Sequence, residues 1–121
     1  MARILIVDDS PTDIKFIESA LAVTRHDLFV AKDGEEAEKI IRSEPFDLII
    51  LDVVMPKKSG FQLCREFKKD EKLKNIPIIM FTQKDQESDK QWGQKQGADD
   101  YLTKPCEPID LLIAVKKHLE K

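Results

Sequence analysis

Short apolar runs alternate with longer amphipathic stretches five times along the chain. Three of the runs are apolar on both faces, which is typical of strands in a sheet that helices cover on both sides. The runs lie at 4–7, 28–31, 48–51 and 78–81, with a weaker one ending at Tyr101-Leu102. This alternation predicts an α/β fold, with a five-stranded parallel sheet and helices on both of its faces.

Capping residues predict where the intervening helices begin. Three of them are each followed three positions later by an acid or an amide: Ser10 by Asp13, Asp33 by Glu36 and Ser59 by Gln62. This spacing is typical of a helix N-terminus, where side chains satisfy free N–H groups. Apolar residues then recur every three or four positions, which gives most of the helices one core-facing stripe. Pro45 and Gly97 predict the ends of the second and fourth helices.

The fourth helix, around residues 85–96, differs from the others. Trp92 is its only large apolar residue, and Gly93 lies in its interior. Little apolar burial and an interior glycine both lower the free energy that local movement requires. We therefore expect this helix to be weakly docked and to be the most mobile regular element.

Composition and charge narrow the class of protein. The 121 residues, 41% of them hydrophobic, fit a single domain over 1–121 with no output domain. A net charge of -3 gives no basic excess that would attract nucleic acid. No apolar run approaches the roughly 20 residues of a membrane span, and we expect no secretory signal, because the amino terminus lacks its apolar stretch. We expect a cytoplasmic protein without membrane insertion.

Charged or hydroxyl side chains follow four of the predicted strands. Ligands of open parallel sheets bind beyond the carboxyl ends of the strands, near the point where strand order reverses. We therefore ask whether these side chains form one site: Asp8 and Asp9 after the first strand, Asp52 after the third, Thr82 after the fourth and Lys104 after the fifth.

Taken singly, each of these residues also fits an ordinary structural role. Asp8 and Asp9 could complement a helix dipole, and Asp52 could belong to a turn. Thr82 could cap a helix, and Lys104 could be a solvated charge. Three carboxylates brought together repel one another, however, unless a cation lies among them. Their conjunction favours a Mg²⁺ site, because carboxylate and carbonyl oxygens with water suit this ion.

A metal ion beside a carboxylate, a hydroxyl and a lysine suits phosphoryl transfer, with an aspartate as the natural acceptor. Four motifs occur in the order ILIVDDS, DLIILDVVMPKKSG, PIIMFT and GADDYLTKP. In order and spacing they resemble the receiver domain of two-component response regulators, of the single-domain chemotaxis type. The likeness extends over residues 4–119 and implies a flavodoxin-like (βα)5 receiver fold with strand order 2-1-3-4-5.

The resemblance also implies a role for each residue of the site. Asp52 would be the phosphoacceptor and would contribute to Mg²⁺ binding. Asp9 would bind the ion directly, Asp8 largely through water, and the backbone carbonyl of Val54 would be a further ligand. Lys104 would bind a phosphoryl oxygen.

A coupled movement of two side chains is implied as the output. The Thr82 hydroxyl would move to the phosphoryl group and Tyr101 would turn inward. The Lys104-Pro105 bond would be cis, which proline makes energetically accessible. The movement would alter a surface made by the fourth helix, fifth strand and fifth helix, where a separate protein partner would bind.

By this resemblance the chain is a monomeric, stand-alone response regulator. A histidine kinase or histidine phosphotransfer domain would donate the phosphoryl group, and the chain would assist only its own phosphorylation and dephosphorylation rather than act as an enzyme. The segment FTQKDQESDKQWGQKQGADDYLTKP also resembles the twitching-motility branch of these regulators, which is tied to type IV pili.

Several alternatives stay open. A magnesium-dependent aspartyl-phosphate phosphohydrolase would use the same chemistry, but it generally needs a second acid where this chain has Val54. A flavodoxin-like electron carrier is disfavoured, because Asp8 and Asp9 would repel a flavin phosphate. A receiver that is never phosphorylated, or a relay or phosphate sink without its own output, would share the fold.

Overall fold

Five strands alternate with five helices in a computed structural model that describes residues 1–120. The strands are β1 (Arg3–Val7), β2 (Asp27–Ala31), β3 (Leu48–Leu51), β4 (Ile78–Thr82) and β5 (Asp100–Thr103). The helices are α1 (Pro11–Leu21), α2 (Gly34–Ser43), α3 (Gly60–Lys69), α4 (Glu87–Lys95) and α5 (Pro108–Leu119). The alternation predicted from the apolar runs is confirmed, with strand boundaries within about one or two residues, the usual uncertainty of such boundaries.

The five strands form one parallel sheet in the order β2-β1-β3-β4-β5, as predicted. Every residue of β3 and β4 is buried, whereas the edge strands β2 and β5 are mostly half-buried. Strand order reverses at β1, which pairs with both β2 and β3. The carboxyl ends of β1 and β3 are therefore neighbours at the edge where such folds bind ligands.

Alternate side chains of the central strands face two separate apolar cores. Leu5 and Ile49 pack with α2 and α3, whereas Ile4 and Ile50 pack with α1 and α5. Successive side chains of a strand point to opposite faces, so strands buried on both sides need apolar residues at every position. The two-sided burial explains why these runs do not alternate with polar residues.

The predicted caps are present. The side-chain oxygens of Ser10, Asp33 and Ser59 accept hydrogen bonds from the backbone N–H groups three residues on. The second helix ends at Ser43, two residues before Pro45, where its end was predicted. The fourth ends at Lys95, two residues before Gly97.

Helix α4 is shallowly packed, as expected, but its glycine has a role that the sequence analysis missed. Gly93 is the one residue of α4 that is buried, and Trp92 is 47% exposed. A Cβ atom at position 93 would lie 2.9 Å from the sulfur of Met80 and 3.0 Å from the ring of Tyr101. The glycine therefore lets α4 approach β4 and β5 closely. The mobility of α4 stays a prediction.

Among residues 1–120, no helix is both long and apolar enough to cross a membrane.

Candidate metal centre

Three carboxylates meet where β1 and β3 end. One ligand atom from each of Asp8, Asp9 and Asp52 lies within 4.8 Å of the others. Asp8 and Asp52 are buried, at 1% and 7% exposure, whereas Asp9 is exposed. The set fits Mg²⁺, which binds through one or two carboxylates and keeps several water molecules, for which the exposed side at Asp9 leaves room.

Backbone groups hold the two buried carboxylates in place. The Ser10 N–H donates to Asp8 at 3.0 Å, and the Val54 N–H donates to Asp52 at 3.3 Å. A Cβ atom at Gly60 would lie 2.1 Å from the carbonyl oxygen of Asp52, so only glycine allows α3 to begin this close to the strand. The Val54 side chain is 56% exposed. The role of its carbonyl as a metal ligand stays a prediction.

Lys104 connects two acids of this cluster, Asp8 and Asp52, to Asp13. Its Nζ atom lies 2.7 Å from Asp13, 2.9 Å from Asp8 and 3.1 Å from Asp52, and its side chain is only 6% exposed. The Lys104-Pro105 peptide bond is cis, as the resemblance implied. Lys104 Nζ also lies 5.3 Å from the centre of the Phe81 ring, within cation–π range. The structure thus brings Lys104 together with Asp8 and Asp52, which the sequence analysis placed at this edge, and a ligand atom of Asp9 lies within 4.8 Å of those two acids.

Asp13 was not among the predicted site residues. Its spacing from Ser10 indicated a capping acid, and its backbone N–H does donate to Ser10 at 3.3 Å. Its carboxylate instead accepts a hydrogen bond from Lys104. One signal was available: the first turn of the helix that follows β1 lies at the same edge as Asp8. The sequence separation of 91 residues between Asp13 and Lys104 concealed the contact.

Burial sets the protonation preferences of this cluster. Burial raises the pKa of the Asp8 carboxyl above its usual value, and the hydrogen bond from Lys104 offsets only part of that effect. Burial also acts to lower the pKa of Lys104, but hydrogen bonds to Asp13 and Asp8 outweigh it and raise that pKa. Lys104 is therefore cationic at neutral pH, and the Asp8 carboxylate lacks full compensation in the absence of a metal ion.

The variant Asp8→Asn should be more stable than the parent protein without metal, by about 1 kcal/mol at pH 7. When folding raises the pKa of a carboxyl, the free energy of unfolding of the protein falls as pH increases from the unfolded pKa through the folded pKa. The Asp8 charge therefore opposes folding at pH 7. The same variant should lose most of the stabilisation by Mg²⁺. For the parent protein this stabilisation is about 1.4 kcal/mol when the free Mg²⁺ concentration is ten times Kd.

Thermal and urea unfolding with and without Mg²⁺ measure both effects. Asp27→Asn is the matched control, because Asp27 is exposed on β2 and carries the same charge. Equal stabilisation of the parent and Asp8→Asn by Mg²⁺ would remove Asp8 from the metal site.

Two other predicted residues meet at the backbone of Lys84. Thr82 is fully buried at the end of β4, and its hydroxyl oxygen accepts from the Lys84 N–H at 3.4 Å. The Tyr101 hydroxyl donates to the Lys84 carbonyl at 2.7 Å, and burial raises the pKa of Tyr101 to about 12. The loop after β4 thus contacts both residues of the predicted switch. Their coupled movement stays a prediction.

Fold and site together define a signal-receiving domain. Residues 4–116 match the model of the response regulator receiver domain family, and the chain belongs to that family. It is 46% identical over 115 residues to Protein PilH of Pseudomonas aeruginosa, with 95% of both chains covered. It is 40% identical to the alkaline phosphatase synthesis transcriptional regulatory protein PhoP of Bacillus subtilis, over 98% of this chain and 49% of that protein.

Solved structures show the same likeness. Chemotaxis protein CheY4 of Vibrio cholerae superposes with a TM-score of 0.90 at 34% identity, covering 98% of this chain and 99% of that one. The receiver domain of Francisella response regulator 1452 gives a TM-score of 0.91 at 32% identity, covering 99% and 98%. The predicted family and fold are therefore both confirmed.

Proposed function

We propose that this chain is a stand-alone phosphorylation switch that accepts a phosphoryl group on Asp52 with the help of Mg²⁺. The donor is a histidine kinase or a histidine phosphotransfer domain. The observation that carries the proposal is the clustering of ligand atoms of Asp8, Asp9 and Asp52 within 4.8 Å, with an almost fully buried lysine bonded to Asp8 and Asp52. Near-complete coverage of PilH and CheY4 supports a single receiver domain over 1–121.

The transfer requires one nucleophile and charge compensation. An oxygen of the Asp52 carboxylate attacks phosphorus, a new O–P bond forms, and the donor leaves with the electron pair of the bond that breaks. A Mg²⁺ ion held at this site would supply charge neutralisation to the phosphoryl group. Lys104 neutralises one of its oxygens, and the Thr82 hydroxyl donates to another. Asp8, Asp9, Asp52 and the Val54 carbonyl would hold the metal ion.

The residues around Asp52 favour a domain that assists only its own phosphorylation and dephosphorylation over an enzyme that hydrolyses external phosphoesters. An alkoxide leaving group needs a proton from a positioned acid. Two residues after the acceptor the chain has Val54, whose side chain cannot supply one. The acyl phosphate on Asp52 is hydrolysed by water within the same domain, so the chain is not an enzyme for a separate metabolite.

The proposed output surface consists of the outer faces of α4, β5 and α5. Ile109 and Ile113 of α5 are 55% and 58% exposed, and their four-residue spacing places them on one face of the helix. Exposed apolar residues grouped in this way are typical of a protein contact. Similarity to a chemotaxis protein and the resemblance to the twitching-motility branch support a partner in pilus motility, which binds a monomer of this chain in the cytoplasm.

Acetyl phosphate with Mg²⁺ tests the proposal directly. The intact protein should gain the mass of one phosphoryl group, and borohydride trapping followed by peptide mapping should locate it on Asp52. Labelling should disappear when EDTA removes the metal ion. An unlabelled protein, or label on another residue, would contradict the proposal. Continuous hydrolysis of p-nitrophenyl phosphate at about 1 s⁻¹ or faster would favour the phosphohydrolase instead.

A relay or phosphate sink is separated from an effector by its binding behaviour. A phosphorylated effector binds a downstream protein more tightly than the unphosphorylated form, whereas a sink only drains phosphoryl groups from the kinase. Pull-downs from cell extract with beryllofluoride-activated protein, compared with Asp52→Asn, measure this difference.

A further inference from the structure

The Lys104 ammonium group uses all of its hydrogen-bonding capacity. An ammonium group has three N–H donors, and Asp13, Asp8 and Asp52 each accept one. The Asp13 contact is the shortest of the three, at 2.7 Å. Asp13 is also the only one of these acids that does not belong to the candidate metal cluster.

The other two partners change their bonding when the site works. This step rests on the proposed function, in which Asp8 and Asp52 serve the metal ion and Asp52 accepts the phosphoryl group. Once phosphorylated, an Asp52 oxygen becomes part of an acyl phosphate and is a poorer acceptor than a free carboxylate. Asp13 is the single partner of Lys104 whose bonding the reaction leaves unaltered.

Asp13 is held firmly enough to orient a partner. It lies in the first turn of α1, where its N–H donates to Ser10, and the next turn of this helix is fixed to the core by Ile14 and Ile17. Its side chain is 29% exposed, against 6% for Lys104, so it lies at the outer rim above the lysine. It therefore shares the ammonium group with Asp8 and Asp52 and makes the shortest of the three contacts.

We propose that Asp13 is a positioning residue that holds Lys104 where it contacts the incoming phosphoryl oxygen. A solely structural role, as a first-turn acid of α1, would affect stability but not the rate of transfer. The two roles make different predictions for the kinetics of labelling.

The variant Asp13→Asn keeps the shape of the side chain and removes its charge. At saturating Mg²⁺, the maximal rate of labelling by acetyl phosphate should fall about tenfold, the factor expected for one charge-assisted hydrogen bond. The concentration of acetyl phosphate that gives half the maximal rate should stay within about twofold of the parental value, a shift worth only ~0.4 kcal/mol. Asp13→Glu, which restores the carboxylate, should recover most of the rate.

Glu36→Gln is the matched control. Glu36 is a first-turn acid of α2 whose side chain accepts from the Lys32 N–H and makes no contact with Lys104. Its labelling rate should equal that of the parent. Circular dichroism melting of each variant, with Mg²⁺ present, shows whether the protein measured is folded.

A double-mutant cycle isolates the action through Lys104. In a Lys104→Met background, Asp13→Asn should change the labelling rate less than about twofold, because the partner is gone. A tenfold effect that persists in that background, an unchanged rate in the single variant, or faster labelling would each overturn the inference. If the parent is labelled on Asp52 while Asp13→Asn matches its rate, only this inference fails. If the parent is not labelled, the proposed function fails and the inference fails with it.

Discussion

Replacing Asp52 with asparagine should abolish labelling by acetyl phosphate, with a loss of at least about a thousandfold in rate. An amide lacks the anionic oxygen that attacks phosphorus, and covalent catalysis depends on that nucleophile. Asparagine has the shape of aspartate and keeps an oxygen for the Val54 N–H, so the local backbone is preserved. The measurement is the phosphorylated fraction, by intact mass, after incubation with acetyl phosphate and Mg²⁺.

The neighbouring carboxylates make this variant a demanding test. Asp8 accepts from both Ser10 and Lys104 at 1% exposure, whereas Asp9 is exposed and free to meet a small donor. Label that reaches full stoichiometry in Asp52→Asn would make Asp9 or another residue the acceptor. Asp27→Asn controls for the change in net charge and should be labelled at the parental rate.

The fold was predictable because its signals are local and repeated. The fully apolar runs at β1, β3 and β4 require burial on both faces, and the caps at Ser10, Asp33 and Ser59 mark helix starts. The edge at which Asp8, Asp9 and Asp52 meet follows from parallel strands, whose carboxyl ends all lie on one side. These inferences need only the order of the elements, and not the details of their packing.

Two features could not be predicted from the sequence pattern, because they depend on how closely distant segments pack. The pairing of Asp13 with Lys104 arises where the start of α1 approaches the loop after β5, and neither residue is unusual in its own segment. Gly93 indicated a weak helix, whereas the structure gives it a close contact with Met80 and Tyr101. Propensity describes the isolated helix, and tertiary contact overrides it.

Contacts around Lys84 and Gly93 connect the end of β4 with the proposed output surface. The Lys84 backbone is bonded to Thr82 through its N–H and to Tyr101 through its carbonyl. The Tyr101 ring in turn lies against Gly93 of α4. Gly93 directly follows Trp92 in the sequence. A shift of Thr82 toward a phosphoryl oxygen would disturb this chain of contacts, and shallow burial of α4 lowers the free energy that its displacement requires.

Lys104→Met should separate phosphorylation from this response. Trp92 is the only tryptophan in the chain, so its fluorescence reports on α4. In the parent, phosphorylation with acetyl phosphate should shift or quench this emission. In Lys104→Met the phosphoryl group loses its cationic partner, and the site loses the contact between the loop after β5 and Asp52. Mg²⁺ should bind at least as tightly, because a competing cation is removed from Asp8 and Asp52.

The fluorescence change and the phosphorylated fraction must be measured on the same sample. Lys104→Met should be labelled more slowly, yet at equal phosphorylated fraction it should give less than about a tenth of the parental change, because a lost ion pair in a buried site is worth more than 1.4 kcal/mol. Lys84→Met is the matched control: its exposed side chain lies at the same rim, and its backbone contacts are kept. A full response from phosphorylated Lys104→Met would show that the signal reaches α4 without the lysine, through Thr82 and the metal ion alone.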